Sequence, residues 1–228
     1  MTFLDDLTLV LDLLVLVACV VFYTGFMTWL EMYRKDRTRA VAQLRAGSIL
    51  IGMLGVVIFL IALWGEEAWP LAVVLPNGTN VLAAYDLFFF DSLMLLSLLL
   101  IGWGVLVYAK LPTHYIGMFG VVVGFAIGFY GYRAYNIGLT LDPLETFLLY
   151  LAFGGMAILS YPVTLYVDWF VLGPVVPGTD PLPSDPTPRY GWMWTSFIWL
   201  FLIVVVLAGI AALWYGFDAA WAHLASPP

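Results

Sequence analysis

The stretch Tyr85-Asp86-Leu87-Phe88-Phe89-Phe90-Asp91-Ser92 opens a hydrophobic segment that continues to Tyr108. The apolar run after the two aspartates is long enough to cross a bilayer, which takes about 20 mostly apolar residues. At least one of the two carboxylates therefore lies at a depth where charge is costly, and ionisable groups at such depths are usually functional. The segment predicts a membrane-spanning helix that carries acidic side chains near one end.

The composition extends this prediction to the whole chain. Hydrophobic residues make up 64% and charged residues 10% of the 228 residues, and the mean hydropathy is +1.01. A soluble domain with this composition would cover its surface in apolar side chains, so we expect an all-α integral membrane protein with a single membrane domain over residues 1–228. The net charge of −7 argues against nucleic acid as a partner, because phosphate binding needs clustered Lys and Arg.

Six stretches of the chain meet the length requirement for a span, so the sequence predicts a bundle of six transmembrane helices. We place the spans at residues 7–30, 46–65, 82–109, 114–135, 143–171 and 191–216. The start Met1 to Asp6 is acidic, whereas a cleaved signal peptide has a positive flank, so the first span is expected to remain in the mature protein.

Two loops carry patterns of their own. Residues 173–190 contain six prolines, and this composition predicts an extended, semi-rigid cytoplasmic loop rather than a helix. Asn77-Gly78-Thr79 matches the acceptor pattern for N-glycosylation, but Asn-Gly is also a turn signal, and the turn is the favoured interpretation.

Basic residues indicate which ends of the spans face the cytoplasm. Seven of the eight fall on one side, and only Arg133 falls on the other. Cytoplasmic loops carry the excess of Lys and Arg, so both termini are expected on the outer side. The alternative role for the cluster between the first two spans is binding of lipid headgroups. The seven are Arg34, Lys35, Arg37, Arg39, Arg45, Lys110 and Arg189.

Acidic residues of the predicted spans collect in the outer half of the membrane. With a rise of about 1.5 Å per residue and a start near Leu82, Asp86 lies about 6 Å deep and Asp91 about 13 Å deep. We expect an ion pair between Asp86 and Arg133, because each charge lowers the cost of burying the other. The candidate ion or proton site comprises Asp91, Asp86, Asp12, Arg133, Glu145 and Tyr130.

Three interpretations of this group stay open. In the first, Arg133 and hydroxyl groups neutralise the carboxylates, which then fix how the helices pack. In the second, Asp91 is a protonatable or cation-binding site reached from outside, and the acidic outer half concentrates cations near it. In the third, oxygen atoms from several spans bind a hard metal ion.

Span five opens with Asp142-Pro143-Leu144-Glu145. This pattern predicts an N-cap, a proline at the first helical position and an arrangement close to a capping box. Glu145 therefore has a structural explanation beside a functional one.

Glycines recur through span four at spacings of three and four residues. Small residues in this pattern let membrane helices approach closely, so the stripe predicts helix packing rather than a ligand site. The glycines are Gly117, Gly120, Gly124, Gly128 and Gly131.

No catalytic motif is apparent in the sequence. We find no nucleophile–base pair, phosphate-binding loop or metal-ligand spacing, so enzyme activity has little support. His114 and His223 lie near the ends of spans, which argues against a haem held between them, and Cys19 is the only cysteine. We expect no cofactor, whereas bound lipid is expected.

The loop motifs resemble one known family. Trp69-Pro70-Leu71, Thr79-Asn80-Val81, Asn136-Ile137-Gly138-Leu139-Thr140 and Pro143-Leu144-Glu145 are similar to segments of an archaeal and bacterial family of small polytopic proteins, catalogued only as a domain of unknown function. The resemblance covers Trp64 to Pro162. It implies a similar helical membrane fold in the cytoplasmic membrane of a prokaryote, and it implies no activity, cofactor or functional residue.

Two functions are therefore considered. The first is a scaffold or accessory subunit within a homo-oligomer or a larger membrane complex, without a redox cofactor of its own. The alternative is a proton- or cation-coupled transporter or channel that uses the outer-half carboxylates of span three.

Overall fold

A computed structural model describes residues 6–68, 87–140, 142–173 and 191–225. Three sequence predictions concern residues outside these ranges: the ion pair of Asp86, the turn or glycosylation site at Asn77, and the proline-rich loop from residue 174 onward.

Six helices form the described part of the chain, and each is long and apolar enough to cross a membrane. Two π-helical turns adjoin these helices: the first, Leu87–Asp91, leads into the third helix, and the second, Val167–Val171, continues from the end of the fifth. The predicted six-span all-α fold is therefore confirmed. The helices are α1 Asp6–Tyr33, α2 Arg37–Ala68, α3 Ser92–Ala109, α4 His114–Ile137, α5 Pro143–Tyr166 and α6 Gly191–Ala225.

The helices pack as a closed ring in chain order. Each helix contacts the next one along the chain, and α6 returns to pack against α1. We call the end where α1 stops and α2 begins the basic end, because it carries Arg34 to Arg45 and Lys110, and the opposite end the acidic end. Buried side chains from α1 and α6, such as Val17 and Val205, meet those of α3 and α5 in one continuous core.

The connection between α1 and α2 is shorter than the sequence predicted. We placed residues 31–45 between the spans, but the turn contains only residues 34–36, and α2 begins at Arg37. Lys35 takes the left-handed backbone conformation, with φ of 63°, that reverses the chain. The basic residues from Arg37 onward therefore lie on the first turns of α2, because a charged sequence at the end of a span continues the helix readily.

Glycines set the closest approaches between neighbouring helices. A Cβ added to Gly104 of α3 would lie 2.8 Å from the carbonyl oxygen of Ser48 and 2.9 Å from the Cα of Gly52, both on α2. A Cβ added to Gly124 of α4 would overlap the carbonyl oxygen of Gly154 on α5. Backbone-to-backbone contact of this kind lets helices associate in lipid through van der Waals packing. The hydrophobic effect does not drive this association, because the lipid is as apolar as the side chains.

The exterior of the ring is apolar in the middle of the helices. On α4, for example, Val122 and Phe125 are 65% and 66% exposed. A large apolar surface of this kind is stable only in contact with lipid or with other membrane helices. The chain is therefore a multi-pass membrane protein that lies in a lipid bilayer.

Candidate functional site

The described residues of the sequence-predicted site lie on different faces of the bundle. Asp12 is exposed on α1, where its Oδ1 faces Gly216 of α6. Glu145 is exposed on the first turn of α5, and Arg133 is exposed near the end of α4. Tyr130 is half-buried and packs against the core. Three of these four side chains thus point away from the bundle interior.

Asp91 occupies a different environment from the other carboxylates. It is half-buried and ends the first π turn, directly before α3. Tyr150 of α5 holds this turn in place: its hydroxyl donates to the carbonyl oxygen of Phe88 at 2.7 Å, and the two rings stack 4.2 Å apart. Asp91 is therefore positioned by the packing of α5 against the turn that carries it.

A small apolar cavity lies next to Asp91. Its volume is about 50 Å³, and its wall includes Ser92, Tyr150 and Tyr215 among apolar side chains. A space of this volume has room for a few water molecules, but a bound water also needs polar partners.

The start of α5 differs from the predicted capping box. Asp142 is the N-cap residue and Pro143 follows it, but the Asp142 side chain makes no capping hydrogen bond. The hydroxyl of Thr146 donates to the Asp142 carbonyl oxygen at 3.0 Å instead, and it is also hydrogen-bonded to Tyr215 of α6. A threonine thus binds the helix start and joins it to the neighbouring helix.

Within the described ranges, no group of three or more His, Cys, Asp or Glu side chains lies close enough together to bind a metal ion. The described carboxylates of the hard-metal interpretation are Asp12, Asp91 and Glu145, and they do not form such a group. They sit on separate elements and only Asp91 is partly enclosed.

Among the residues that the structure describes, the densest polar contacts occur at the basic end, around Asp168 in the second π turn. Its Oδ1 accepts from the backbone N–H of Thr113 at 2.7 Å and from the Thr113 hydroxyl at 2.8 Å. Its Oδ2 accepts from the backbone N–H of His114 at 2.8 Å and lies 2.7 Å from His114 Nδ1. One carboxylate thereby binds two of the free N–H groups that begin α4, where negative charge is favoured.

Sequence reasoning missed this cluster. Asp168 lies inside the long apolar segment of span five, and the sequence raises His114 only in connection with a haem that its position argues against. The sequence does contain one signal for this cluster. Asp168 is an acidic residue about two helical turns past Pro162, and no basic residue lies near it in the sequence of the span. Its partners come from 54 and 55 residues away, so only the packing of α4 on α5 reveals them.

Arg37 makes a second tie at the basic end. From the first turn of α2, its Nε donates to the carbonyl oxygen of Val171 at 2.9 Å, and its terminal nitrogen donates to the carbonyl oxygen of Gly173. These carbonyl groups lie at the end of the second π turn, where helix carbonyls lack intrahelical donors. A residue that the sequence assigned to membrane topology thus also donates hydrogen bonds to carbonyl groups at the end of the second π turn.

α1 and α2 also carry buried polar groups. Glu31 is 5% exposed, and its Oε1 lies 3.3 Å from a terminal nitrogen of Arg34. Four side-chain atoms along α1 and α2 are buried without a hydrogen-bond partner among the described residues: Thr28 Oγ1, Glu31 Oε2, Arg45 Nε and Ser48 Oγ.

A larger cavity lies at the centre of the ring, with a volume of about 120 Å³. All six helices contribute to its wall, which includes Thr28 and Trp29 of α1, Leu44 of α2, Trp103 of α3 and Ser160 of α5. Leu96 of α3 lines both this cavity and the smaller one near Asp91. The two spaces therefore lie on either side of one buried leucine.

The ring of six apolar helices and its exposed apolar exterior define a polytopic α-helical membrane protein. Residues 1–226 match the family described as "Protein of unknown function (DUF981)", and the chain belongs to that family. The match confirms the resemblance inferred from the loop motifs and extends it to almost the whole chain. No curated protein and no solved structure matches the chain.

Proposed function

We propose that this protein is a scaffold or accessory subunit that acts within an oligomer or a larger complex of a prokaryotic cytoplasmic membrane. Both termini would lie outside, bound lipid would fill the exterior grooves, and the protein would carry no redox cofactor of its own. The observation that supports the proposal most strongly is the outward position of Asp12 within a membrane span.

Asp12 belongs to an exposed stripe along α1. The stripe consists of Leu9, Asp12, Leu16, Cys19 and Tyr23, all exposed, at alternating spacings of three and four residues. This is the spacing at which one helix packs along another. Four of the five side chains suit lipid, whereas an aspartate does not.

The position of Asp12 is costly for an isolated chain. Asp12 lies four residues inside the span that begins at Thr8, or about 6 Å along the helix. The Asp12 side chain forms no hydrogen bond or ion pair with any residue in the described ranges. A neighbouring subunit that supplies a donor would remove the cost of a carboxylate facing lipid.

A second copy of the chain offers such a donor. Arg133 is exposed on α4, on another face of the ring, and lies four residues before the end of its span at Ile137. It is therefore also about 6 Å from the acidic end, at the depth of Asp12. Contact between these two different faces would join successive copies head to tail, and such contacts close into rings when the rotation allows.

The test is the mass of the purified protein in lipid nanodiscs and in mild detergent, measured by native mass spectrometry over a range of concentrations. We expect an oligomer or a complex with other membrane subunits, and we expect Asp12→Leu to shift the population toward single chains. Asp218→Leu is the matched control, because Asp218 is also exposed but lies at the end of its span. A protein that stays a single chain at every concentration, with no companion from native membranes, would refute the proposal.

A second candidate function rests on Asp91. This residue is partly enclosed, belongs to a π-helical turn and precedes a residue that lines a cavity. Short π segments inside helices are frequent at functional sites. A proton- or cation-coupled transporter would use Asp91 as its titrating or ion-binding group. Ion flux in proteoliposomes would then be lost in Asp91→Asn and kept in Glu145→Gln, and equal flux in Asp91→Asn and the unaltered protein would exclude this function.

A further inference from the structure

Two basic side chains at the basic end have no anionic partner within the described ranges. Arg45 is half-buried, and its side chain forms no hydrogen bond or ion pair there. The side chain of Lys110 is exposed and likewise forms none with the described residues. Each described carboxylate of this end is already bonded to another residue: Glu31 to Arg34, Asp36 to Arg39, and Asp168 to the start of α4.

The two cations lie at the same level on neighbouring helices. The antiparallel helices α2 and α3 touch where Gly52 meets Gly104, because a Cβ added to Gly52 would lie 3.3 Å from the Gly104 Cα. At about 1.5 Å of rise per residue, Lys110 lies about 9 Å and Arg45 about 10 Å beyond this contact, both toward the basic end. The two positive charges therefore flank the same end of the α2–α3 contact.

Arg45 belongs to the outer border of that contact. Arg45, Ile49, Gly52 and Val56 follow one another at spacings of four, three and four residues, so they share one face of α2. Gly52 touches α3, whereas Ile49 and Val56 are exposed on the apolar exterior of the ring. This face of α2 thus borders α3 and is also open to the lipid.

α3 supplies the opposite border with Val105 and Tyr108. Both side chains are exposed, and they lie one and four residues past Gly104, on the way to Lys110. We call the space between the two borders the α2–α3 groove; it is lined by Ile49, Gly52, Val56, Val105 and Tyr108 and ends between Arg45 and Lys110. The groove is apolar along its length and cationic at its end.

We propose that the α2–α3 groove binds an anionic phospholipid, with its phosphate group between Arg45 and Lys110 and its acyl chains along the exposed apolar side chains. A guanidinium group binds a phosphate through parallel N–H donors, and the acyl chains cover the apolar part. A soluble anion lacks these chains, and a zwitterionic lipid already carries a cation. The proposal does not depend on the scaffold function, because the groove lies on a single chain, at the opposite end from Asp12 and Arg133.

The test titrates the purified full chain in mild detergent with dioleoylphosphatidylglycerol or dioleoylphosphatidylethanolamine. Native mass spectrometry measures the affinity for the first bound lipid. The two lipids have the same acyl chains, but only phosphatidylglycerol carries a net negative charge. One basic residue near an anionic lipid raises the affinity about fivefold, so we expect the pair to give phosphatidylglycerol a roughly 25-fold preference.

Three variants assign the preference to the groove. Arg45→Gln and Lys110→Gln should each lower the affinity for phosphatidylglycerol about fivefold and leave that for phosphatidylethanolamine unchanged. Lys35→Gln is the matched control, since it removes the same charge from the exposed turn between α1 and α2 and should leave both affinities unchanged. Lys110 is exposed between two helices, so its variant tests the groove even if Arg45→Gln fails to fold.

The proposal is overturned if the two lipids bind equally. It is also overturned if Lys35→Gln weakens phosphatidylglycerol binding as much as Lys110→Gln, which would make the preference a property of the whole basic end. In a third arm, glycerophosphoglycerol, the headgroup without acyl chains, competes with the lipid in large molar excess. We expect the lipid to stay bound, and its complete displacement would make the occupant a soluble anion and refute the proposal.

Discussion

Asp168 Oδ2 lies 2.7 Å from His114 Nδ1 and accepts a hydrogen bond from the backbone N–H of the same residue. The contact joins the end of the fifth span to the beginning of the fourth. The Asp168 side chain is only 11% exposed, and four donors of Thr113 and His114 surround its two oxygens. The charge of a buried carboxylate is tolerated here because each oxygen is hydrogen-bonded and the α4 helix start is electropositive.

Replacing Asp168 by Ala should destabilise the folded protein by about 2 kcal/mol, because the helix start loses its cap and a charge-assisted hydrogen bond. His114→Ala should cost less, since three of the four donors to Asp168 remain. Unfolding in mixed detergent micelles, followed by circular dichroism, measures both changes. Equal stability of Asp168→Ala and the exposed-site variant Asp218→Ala would show that the cluster does not hold the two helices together.

Gly124→Ala should destabilise the protein by roughly 1–3 kcal/mol, the usual cost of overpacking a close contact. The added methyl group would overlap the carbonyl oxygen of Gly154 and the side chain of Ile158. Gly128→Ala lies one helical turn further along α4 and should be tolerated, because an added Cβ has no atom within 4 Å. The two variants are compared in the same unfolding assay, and similar losses of stability in both would contradict the packing geometry.

Arg37→Lys should lower stability by about 1 kcal/mol, even though the charge is kept. Arg37 uses two nitrogens of its guanidinium group on the carbonyls of Val171 and Gly173, and a lysine ammonium does not reproduce this fork. Arg39→Lys is the control, since Arg39 is exposed and pairs with Asp36 at 3.2 Å on the surface. Insertion topology should be unchanged in both variants, so an altered topology in Arg37→Lys alone would give Arg37 a different role.

Charge reversal tests the proposed contact between copies. Asp12→Arg and Arg133→Asp should each weaken association, and the double variant should restore it, because the pair is re-formed with opposite sign. The readout is the oligomer population by native mass spectrometry. Additive losses in the double variant would exclude this pair, although the chain could still associate through another face.

The spans could be predicted from the sequence, because a bilayer imposes a length and an apolar composition on any helix that crosses it. The prediction was exact at His114, where α4 begins, and at Val171, where the second π turn ends. It was wrong at the α1–α2 connection, since charge marks the end of the apolar segment but not the end of the helix.

The candidate site was much less accessible to sequence reasoning. Depth along a helix follows from residue count, so the acidic residues near one end could be grouped from the sequence. The direction in which each side chain points depends on how its helix is rotated against its neighbours, and this rotation places Asp12 and Glu145 on the exterior while Asp91 is half-buried.

The sequence by itself determined that six segments of this chain are long and apolar enough to cross a membrane, which family it belongs to, and where charge is rare enough to be significant. Only the tertiary structure decided that Asp168 caps the helix beginning at His114, that Arg37 binds the end of the second π turn, and that all six helices line one cavity. The physical reason is that spanning depends on the local apolar content of each segment. A hydrogen bond between residues more than 50 positions apart depends instead on which glycine-lined faces let their helices meet.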